Sequence, residues 1–497
     1  MSPPVGGADR RPLVTLVNTN RIRPQVGPIA FDYLHEPLVD AGFRVELLDL
    51  CPTDDWRAEL ARYATDARPD CWGVTLRNTD DCYFASREPF HELVREMIAG
   101  LRRAAPAPVV LGGVGFSVLP APLLEHCGAD FGIVCEGEAS FPALVRALVD
   151  GLPYRDIPGL VFREGGTVRC NPPVFADLGA VPAHRRGLVD NPHYFSTGGM
   201  AGVETKRGCT RVCVYCVEPL AKGRKVRLRD PAHLADEVEA LLEQGVDVFH
   251  VNDSEFNLDV RHAASFCRAL LERGLSERVR WYAYGMPTPF PDELAALMVR
   301  AGCAGMNFGV DSGSERMLRV IRRTFRPHHV ARAVETCRAN GLPYMLELLV
   351  GFPGETAETV RESIGLMRQI DAELVSVTAG IRVYPGTELE RMVRAEGVTP
   401  DNPNLHGAVE GNDDLLLPLY YLSAAIAPDP VAFIAECMGD DPRFFPINAA
   451  TFNYNGNDLL AEAVAAGERG AYWSILSRLR GTGACRSAAP LSAAASV

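Results

Sequence analysis

Three thiols stand within eight residues in Cys209-Thr-Arg-Val-Cys213-Val-Tyr-Cys216, just after a short strand-like run, Gly202 to Thr205. Clustered thiolates select soft or borderline metals: zinc, Cu(I) or an iron–sulfur cluster. A structural zinc site closes with four ligands, usually as paired C-x2-4-C units. No second pair exists here, because the other eleven of the fourteen cysteines stand singly. Three ligands for a four-ligand centre leave one position open, which suits a metal that binds something besides protein. The plain alternative is three small apolar residues packed in a turn.

This C-x3-C-x-aromatic-C spacing, with Tyr215 as the aromatic, resembles the signature of the radical SAM superfamily. The resemblance implies a [4Fe–4S] cluster on Cys209, Cys213 and Cys216. S-adenosylmethionine would bind the open iron through its amino and carboxyl groups and be cleaved reductively to a 5′-deoxyadenosyl radical. Later segments carry the same resemblance. Asn252-Asp253-Ser254-Glu255-Phe-Asn257 matches the family's D-[ST]-x-F-N, where the amino group of S-adenosylmethionine is bound. Asp311-Ser312-Gly313-Ser314 is similar to the G-[VIL]-E-S-G ribose motif, with Asp311 in place of the usual Glu. Gly351-Phe-Pro-Gly-Glu-Thr356 matches G-x-P-G-E-T, and Arg382 with Tyr384-Pro-Gly-Thr387 resembles the segment that closes the sixth strand. By resemblance, then, Tyr215, Asp253, Ser254, Glu255, Asp311, Ser312 and Arg382 are cofactor-binding residues. Each segment alone is also an ordinary cap or turn.

A second group lies upstream. Leu111-Gly-Gly-Val-Gly-Phe-Ser117 places three glycines and a hydroxyl at a strand end, which permits close approach of backbone to a ligand. Cys135-Glu136-Gly137-Glu138 does the same at the next strand. Together they resemble the cobalamin-binding domain that precedes many radical SAM modules. That implies cobalamin contacts at Gly112, Gly113, Ser117, Glu136 and Gly137. The D-x-H-x-x-G motif whose histidine ligates cobalt in many such domains is absent, since Asp32-Tyr-Leu-His35 has the wrong spacing and no following glycine. Thr75-Leu-Arg-Asn-Thr-Asp-Asp81 reads either as a solvated loop or as a face that turns Arg77 and Asn78 toward the corrin amides.

The elements that must position these residues follow from periodicity. Leu13–Val17, Arg44–Leu48, Cys71–Leu76, Pro108–Gly112 and Asp130–Val134 are buried-strand runs. Helical stretches fall near 31–40, 90–103 and 140–150. Alternation of this kind predicts an α/β, doubly wound, Rossmann-like parallel sheet over residues 12–150, with ligands beyond the carboxyl ends of its strands. Residues 151–198, rich in proline, predict a packed linker with one hairpin turning at Gly165-Gly166. From 199 to 392, runs at 246–251, 279–284, 304–309, 344–350 and 374–378 join the strand before Cys209 to make six β/α units. These predict a partial (β/α)6 TIM-like barrel with its chemistry at the strands' carboxyl ends. Residues 393–497 read as a helical C-terminal region whose aromatics pack or form a lid.

The totals narrow the function. At 497 residues two or three domains are expected, and a formal net charge of −13 excludes a nucleic-acid sheath. The longest apolar run, Leu415–Ala427, is broken by Pro418 and falls short of the ~18 residues a membrane span needs. Met1–Pro12 has no apolar signal core, and Ser487–Val497 reads as frayed. Single cysteines without a regular framework indicate a reducing, cytoplasmic setting. Lys206-Arg207 and the basic run 222–229 are a solvated face or a dock for an acidic electron donor such as flavodoxin or ferredoxin, the solvated face being favoured.

The resemblance therefore implies a cobalamin-dependent radical SAM enzyme, foremost a C-methyltransferase. It would methylate an unactivated carbon of a small molecule of natural-product type, by way of methylcobalamin and the 5′-deoxyadenosyl radical. A rearrangement or cyclisation without methyl transfer, and a non-catalytic corrinoid or metal-binding protein, are the competing readings. Loss of the cobalt-ligating histidine also admits an N-terminal domain that no longer holds its cofactor.

Overall fold

Runs of β-branched and aliphatic residues form two parallel sheets in the computed structural model, which describes residues 11–481. The tail read as frayed therefore lies outside the described residues. The first sheet comprises β1 (Leu13–Asn18), β2 (Arg44–Asp49), β3 (Cys71–Thr75), β4 (Val109–Gly112), β5 (Phe131–Ile133), β6 (Leu160–Glu164) and β7 (Thr167–Cys170). Its order is β2-β1-β3-β4-β5-β6-β7. The pairings are parallel from β2 through β5. Every residue of β1 is buried, as a strand covered on both faces requires. Helices Ile29–Asp40, Trp56–Asp66, His91–Ala104 and Ser140–Asp150 lie between successive strands. The sequence reading passes over Trp56–Asp66, whose buried side is only Trp56 and Leu60.

The hairpin β6–β7 turns at Gly165 and Gly166, both at positive φ, and adds two antiparallel strands to the sheet. The N-terminal sheet thus continues past residue 150 into the segment read as a linker.

The second sheet begins with β8 (Ala201–Val203). A two-stranded ribbon of β9 (Lys206–Arg207) and β10 (Arg227–Leu228) follows, then β11 (Val248–Val251), β12 (Arg280–Gly285), β13 (Cys303–Asp311), β14 (Tyr344–Val350) and β15 (Val375–Ala379). Its order, β15-β14-β13-β12-β11-β8, is all parallel, so the half-barrel has the six units counted from the sequence. Beyond it, β16 (Ile381–Arg382), β17 (Leu405–Gly407) and β18 (Leu419–Tyr421) form a small antiparallel sheet. Helices Pro430–Met438, Asp458–Ala465 and Tyr472–Gly481 complete the C-terminal region. The apolar run 415–427 is largely interior, with Leu419, Tyr421, Leu422 and Ile426 buried. No helix of the described residues is long and apolar enough to cross a membrane.

A buried polar network locks the two sheets together. Arg186 Nε lies 2.9 Å from Asp32 Oδ2, and its Nη1 lies 2.8 Å from Glu237 Oε1. Arg229 Nη1 meets the other oxygen of Glu237 at 2.7 Å, and the Tyr33 hydroxyl donates to Glu237 Oε1 at 3.0 Å. Asp32 and Tyr33 belong to the first helix, Arg186 to the segment before the barrel, and Arg229 and Glu237 to the barrel. Asp32, in the place where a D-x-H motif was sought, is thus a structural acid.

Candidate active site at the barrel mouth

The cysteine loop is seated by backbone contacts that its own residue types allow. Gly208 has φ +88°, and a Cβ there would come 2.2 Å from the Lys225 carbonyl oxygen, so only glycine lets the chain pass beneath the β9–β10 ribbon. Cys209 N then donates to the Gly223 carbonyl. Val214, 1% exposed, plugs into the barrel core, with its N–H on the Ile321 carbonyl and its own carbonyl receiving Leu389 N. This anchor leaves Cys209, Cys213 and Cys216 around one cavity of about 340 Å³. Burial pushes the thiols up, Cys213 to about 11 and Cys216 to about 12. Without a metal they are neutral thiols; a coordinating metal deprotonates them.

The fourth strand of the barrel supplies the partner for this loop. A register shift between Gly309 and Asp311 in β13 puts Asp311 at φ +61°, a conformation that a short acid tolerates better than a long side chain. Asp311 Oδ2 accepts from the Tyr215 hydroxyl at 2.9 Å and from Arg323 Nε at 2.6 Å. Arg323 also reaches Cys213 Sγ at 3.6 Å and Glu255 Oε1 at 3.4 Å. The arginine thus joins the thiol loop, the strand-two motif and the strand-four motif. Its own charge is held on strongly by Asp311 despite burial.

The residues singled out from the sequence separate into three groups. The cysteines, Tyr215, Ser254, Glu255 and Asp311 line the cavity. Arg77, Asn78, Gly112 and Gly113 sit at carboxyl ends of the first sheet. The rest are engaged inside the protein. Asp253 accepts from Thr205 N and Oγ1 and from Lys206 N and Nζ, and so holds the start of the cysteine loop rather than lining the cavity. Ser312 bonds Ser363 and Ser314 N. Arg382 pairs with Asp80 at 2.9 Å, tying β16 to the N-terminal sheet. Ser117 Oγ accepts from Cys135 N and donates to the Gly113 carbonyl, stitching two strand-end loops. Glu136 lies 2.6 Å from Arg227 and accepts from Ala176 N. A Cβ on Gly137 would meet Leu34 at 3.1 Å.

The basic stretch is neither a free solvated face nor a free dock. Lys206 pairs with Asp253, Arg207 with Glu204 and Glu138, Arg227 with Glu136 and Arg229 with Glu237. Arg224 and Lys225 alone among these residues are exposed.

Sequence reading missed Arg211, Arg323, Tyr284 and Glu347, all of which line the cavity. One signal was present for Glu347: it is the single charged residue of the apolar strand Tyr344–Val350. Its carboxylate accepts from Asn307 Nδ2 at 2.8 Å, and burial raises its pKa. Nothing in the sequence pointed to Arg323, whose value lies in contacts 68 and 110 residues away.

The donor sets fit the implied groups. Three thiols on one cavity suit a [4Fe–4S] cluster, and Glu255 Oε2 is buried without a hydrogen-bond partner among the described residues. That oxygen can hold either the open iron or an ammonium. At the first sheet, a Cβ on Gly112 would find only the Ile133 carbonyl, at 3.7 Å, leaving room for a ligand. Arg77 is exposed, forms no ion pair among the described residues, and lies among Tyr472, Cys82 and Tyr284. Tyr284, itself 40% exposed, also lines the cysteine cavity.

Fold and site define a radical SAM half-barrel joined to a corrinoid-binding sheet, and the comparisons agree. Residues 15–145 match the B12 binding domain and residues 203–367 the Radical SAM superfamily. The chain is 35% identical over 439 residues to the tryptophan 2-C-methyltransferase of Streptomyces laurentii, covering 76% of this chain and 73% of that protein. It is similar to the radical S-adenosylmethionine methyltransferase TsrM of Kitasatospora setae, solved with tryptophan substrate and a SAM analog (TM-score 0.86, 31% identity, 95% and 99% of the two chains). The same enzyme, solved with cobalamin and a [4Fe–4S] cluster, gives a TM-score of 0.85 at 30% identity over 96% and 100%. The chain belongs to the cobalamin-dependent radical SAM methyltransferases. It is a C-methyltransferase of small molecules, with a [4Fe–4S] cluster, S-adenosylmethionine and cobalamin as cofactors.

Proposed function

We propose that this enzyme methylates a carbon of a free aromatic amino acid, tryptophan or a close indole relative. The observation that carries the reading is Glu347, an acid deep in an otherwise apolar strand and facing the cavity beside Tyr284. A carboxylate there receives the ammonium of an amino acid. Tyr284 offers a ring face against which an indole packs. The related enzymes of Streptomyces laurentii and Kitasatospora setae, named for or solved with tryptophan, support the same class.

When bound, the cofactors supply the methyl carrier and the reductive cleavage of S-adenosylmethionine, and the chain contributes position and exclusion of water. Cys209, Cys213 and Cys216 hold the cluster. Glu255 and Ser254 face S-adenosylmethionine, and Tyr215 with Asp311 keeps the thiol loop against β13. Arg77, Asn78, Gly112 and Gly113 meet the corrin. An external one-electron donor of the flavodoxin or ferredoxin kind completes the system, in a reducing cytoplasm consistent with free cysteines throughout the described residues.

The test is anaerobic incubation of cluster-reconstituted, cobalamin-loaded enzyme with methyl-labelled S-adenosylmethionine and tryptophan. Label in a carbon-methylated tryptophan is expected, falling by at least ~100-fold in Cys213→Ala, as loss of a direct ligand exceeds the 10–100-fold typical of supporting residues. Label that reaches the cobalamin but never tryptophan or any indole analogue overturns the substrate class.

A further inference from the structure

Outside the cavity, helix His91–Ala104 packs its first turn against the end of helix Pro120–Cys127. Two imidazoles and a carboxylate converge there. His126 Nε2 lies 2.9 Å from Glu92 Oε1, and His91 Nε2 lies 3.8 Å from the same oxygen. The two rings stand 4.7 Å apart at 85°. One ligand atom from each residue falls within 4.8 Å of the others.

The decisive feature is His91. Its side chain is fully buried, yet neither ring nitrogen has a hydrogen-bond partner among the described residues. The 2.9 Å contact of His126 with Glu92 does nothing for His91, which leaves a polar ring orphaned inside the domain, contrary to the rule that buried polar groups are satisfied. His126 and Glu92 are 22% and 46% exposed, which leaves an open path from solvent.

We propose that His91, Glu92 and His126 bind one divalent transition-metal ion of the zinc class. Two imidazoles and one carboxylate are a borderline donor set, suited to zinc and its neighbours and not to magnesium or calcium, which take oxygen ligands. Three protein ligands leave a fourth position for water. The metal would clamp the helix directly following the loop 77–90. Phe90 N at the base of that loop donates to the Thr79 carbonyl, and the loop carries Arg77 and Asp80. The ion therefore braces the corrin-facing loop from behind and takes no part in the radical chemistry.

The experiment uses enzyme already carrying its cluster and cobalamin, so that the thiol loop is occupied. Zinc is titrated in competition with a chromophoric chelator, and the loaded protein is examined by zinc-edge X-ray absorption. One tight zinc with nitrogen and oxygen neighbours and no sulfur is expected. His126→Gln and Glu92→Gln, both at side chains that reach solvent, should each weaken it by ~10–100-fold or more while the corrin spectrum stays that of wild type. No zinc held, sulfur ligation, or unchanged affinity in both variants overturns the proposal.

Discussion

Arg323 shows how one side chain makes a site out of separate motifs. It is 8% exposed and stands between Asp311, Glu255, the Tyr215 hydroxyl and Cys213. Arg323→Met removes the compensating charge and leaves two carboxylates together in a poorly solvated cavity. Breaking a buried pair in this way costs about 3–5 kcal/mol. The expected result is a lower melting midpoint together with reduced iron per chain after reconstitution. Full iron content with unchanged stability would show that the guanidinium is incidental. The same arrangement accounts for Asp311 where the family motif has Glu: at φ +61° the shorter acid reaches Tyr215 and Arg323 without extending across the cavity.

At the scale of elements, the loop after β4 has two neighbouring glycines with different tasks. Gly113 has φ +102°, and a Cβ on it would sit 2.4 Å from the Leu76 carbonyl oxygen. Gly113→Ala must displace Thr75 and Leu76, which lead into Arg77, at a cost of about 1–3 kcal/mol for the strained backbone. Gly112 has no such obstruction, its nearest neighbour being 3.7 Å away. Titration with hydroxocobalamin, followed by the corrin absorbance, separates the two. Gly113→Ala should lose both stability and corrin affinity, whereas Gly112→Ala should keep its melting midpoint and lose affinity only. Normal affinity in Gly112→Ala would mean that no corrin passes close to that strand end.

Across the whole molecule the two sheets are joined by buried charge as much as by apolar packing. Arg186 is 1% exposed at its side chain and bridges Asp32 of the first domain to Glu237 of the second. Arg186→Met leaves Asp32 without a counter-charge in the interface and Glu237 with Arg229 alone. The expected loss is about 3–5 kcal/mol, read as a lower midpoint in thermal or urea unfolding. A variant as stable as wild type would show that apolar contacts alone fix the domains. A second set of bridges works at the barrel mouth, where Arg382 pairs with Asp80 and Asn453 donates to Asp81. These hold the loop 77–90 against β16 and the C-terminal region. Its acids thus serve the interface.

Local pattern alone determined the two parallel β/α sheets, the six strands of the half-barrel and the thiol loop, because short apolar runs between helical stretches and the three cysteines are properties of neighbouring residues. The hairpin at Gly165-Gly166 was legible for the same reason, although its union with the first sheet was not. Only the tertiary structure decided which polar residues at strand ends line the cavity. Asp253, Ser312, Arg382, Ser117 and Glu136 look from the sequence much like Glu255 or Asp311, since all are polar groups beside glycine-rich turns. Which of them is engaged by the interior depends on partners tens to hundreds of residues away, such as Asp80 for Arg382 or Arg227 for Glu136. Pairing of that kind is set by how the domains pack, and no local spacing encodes it.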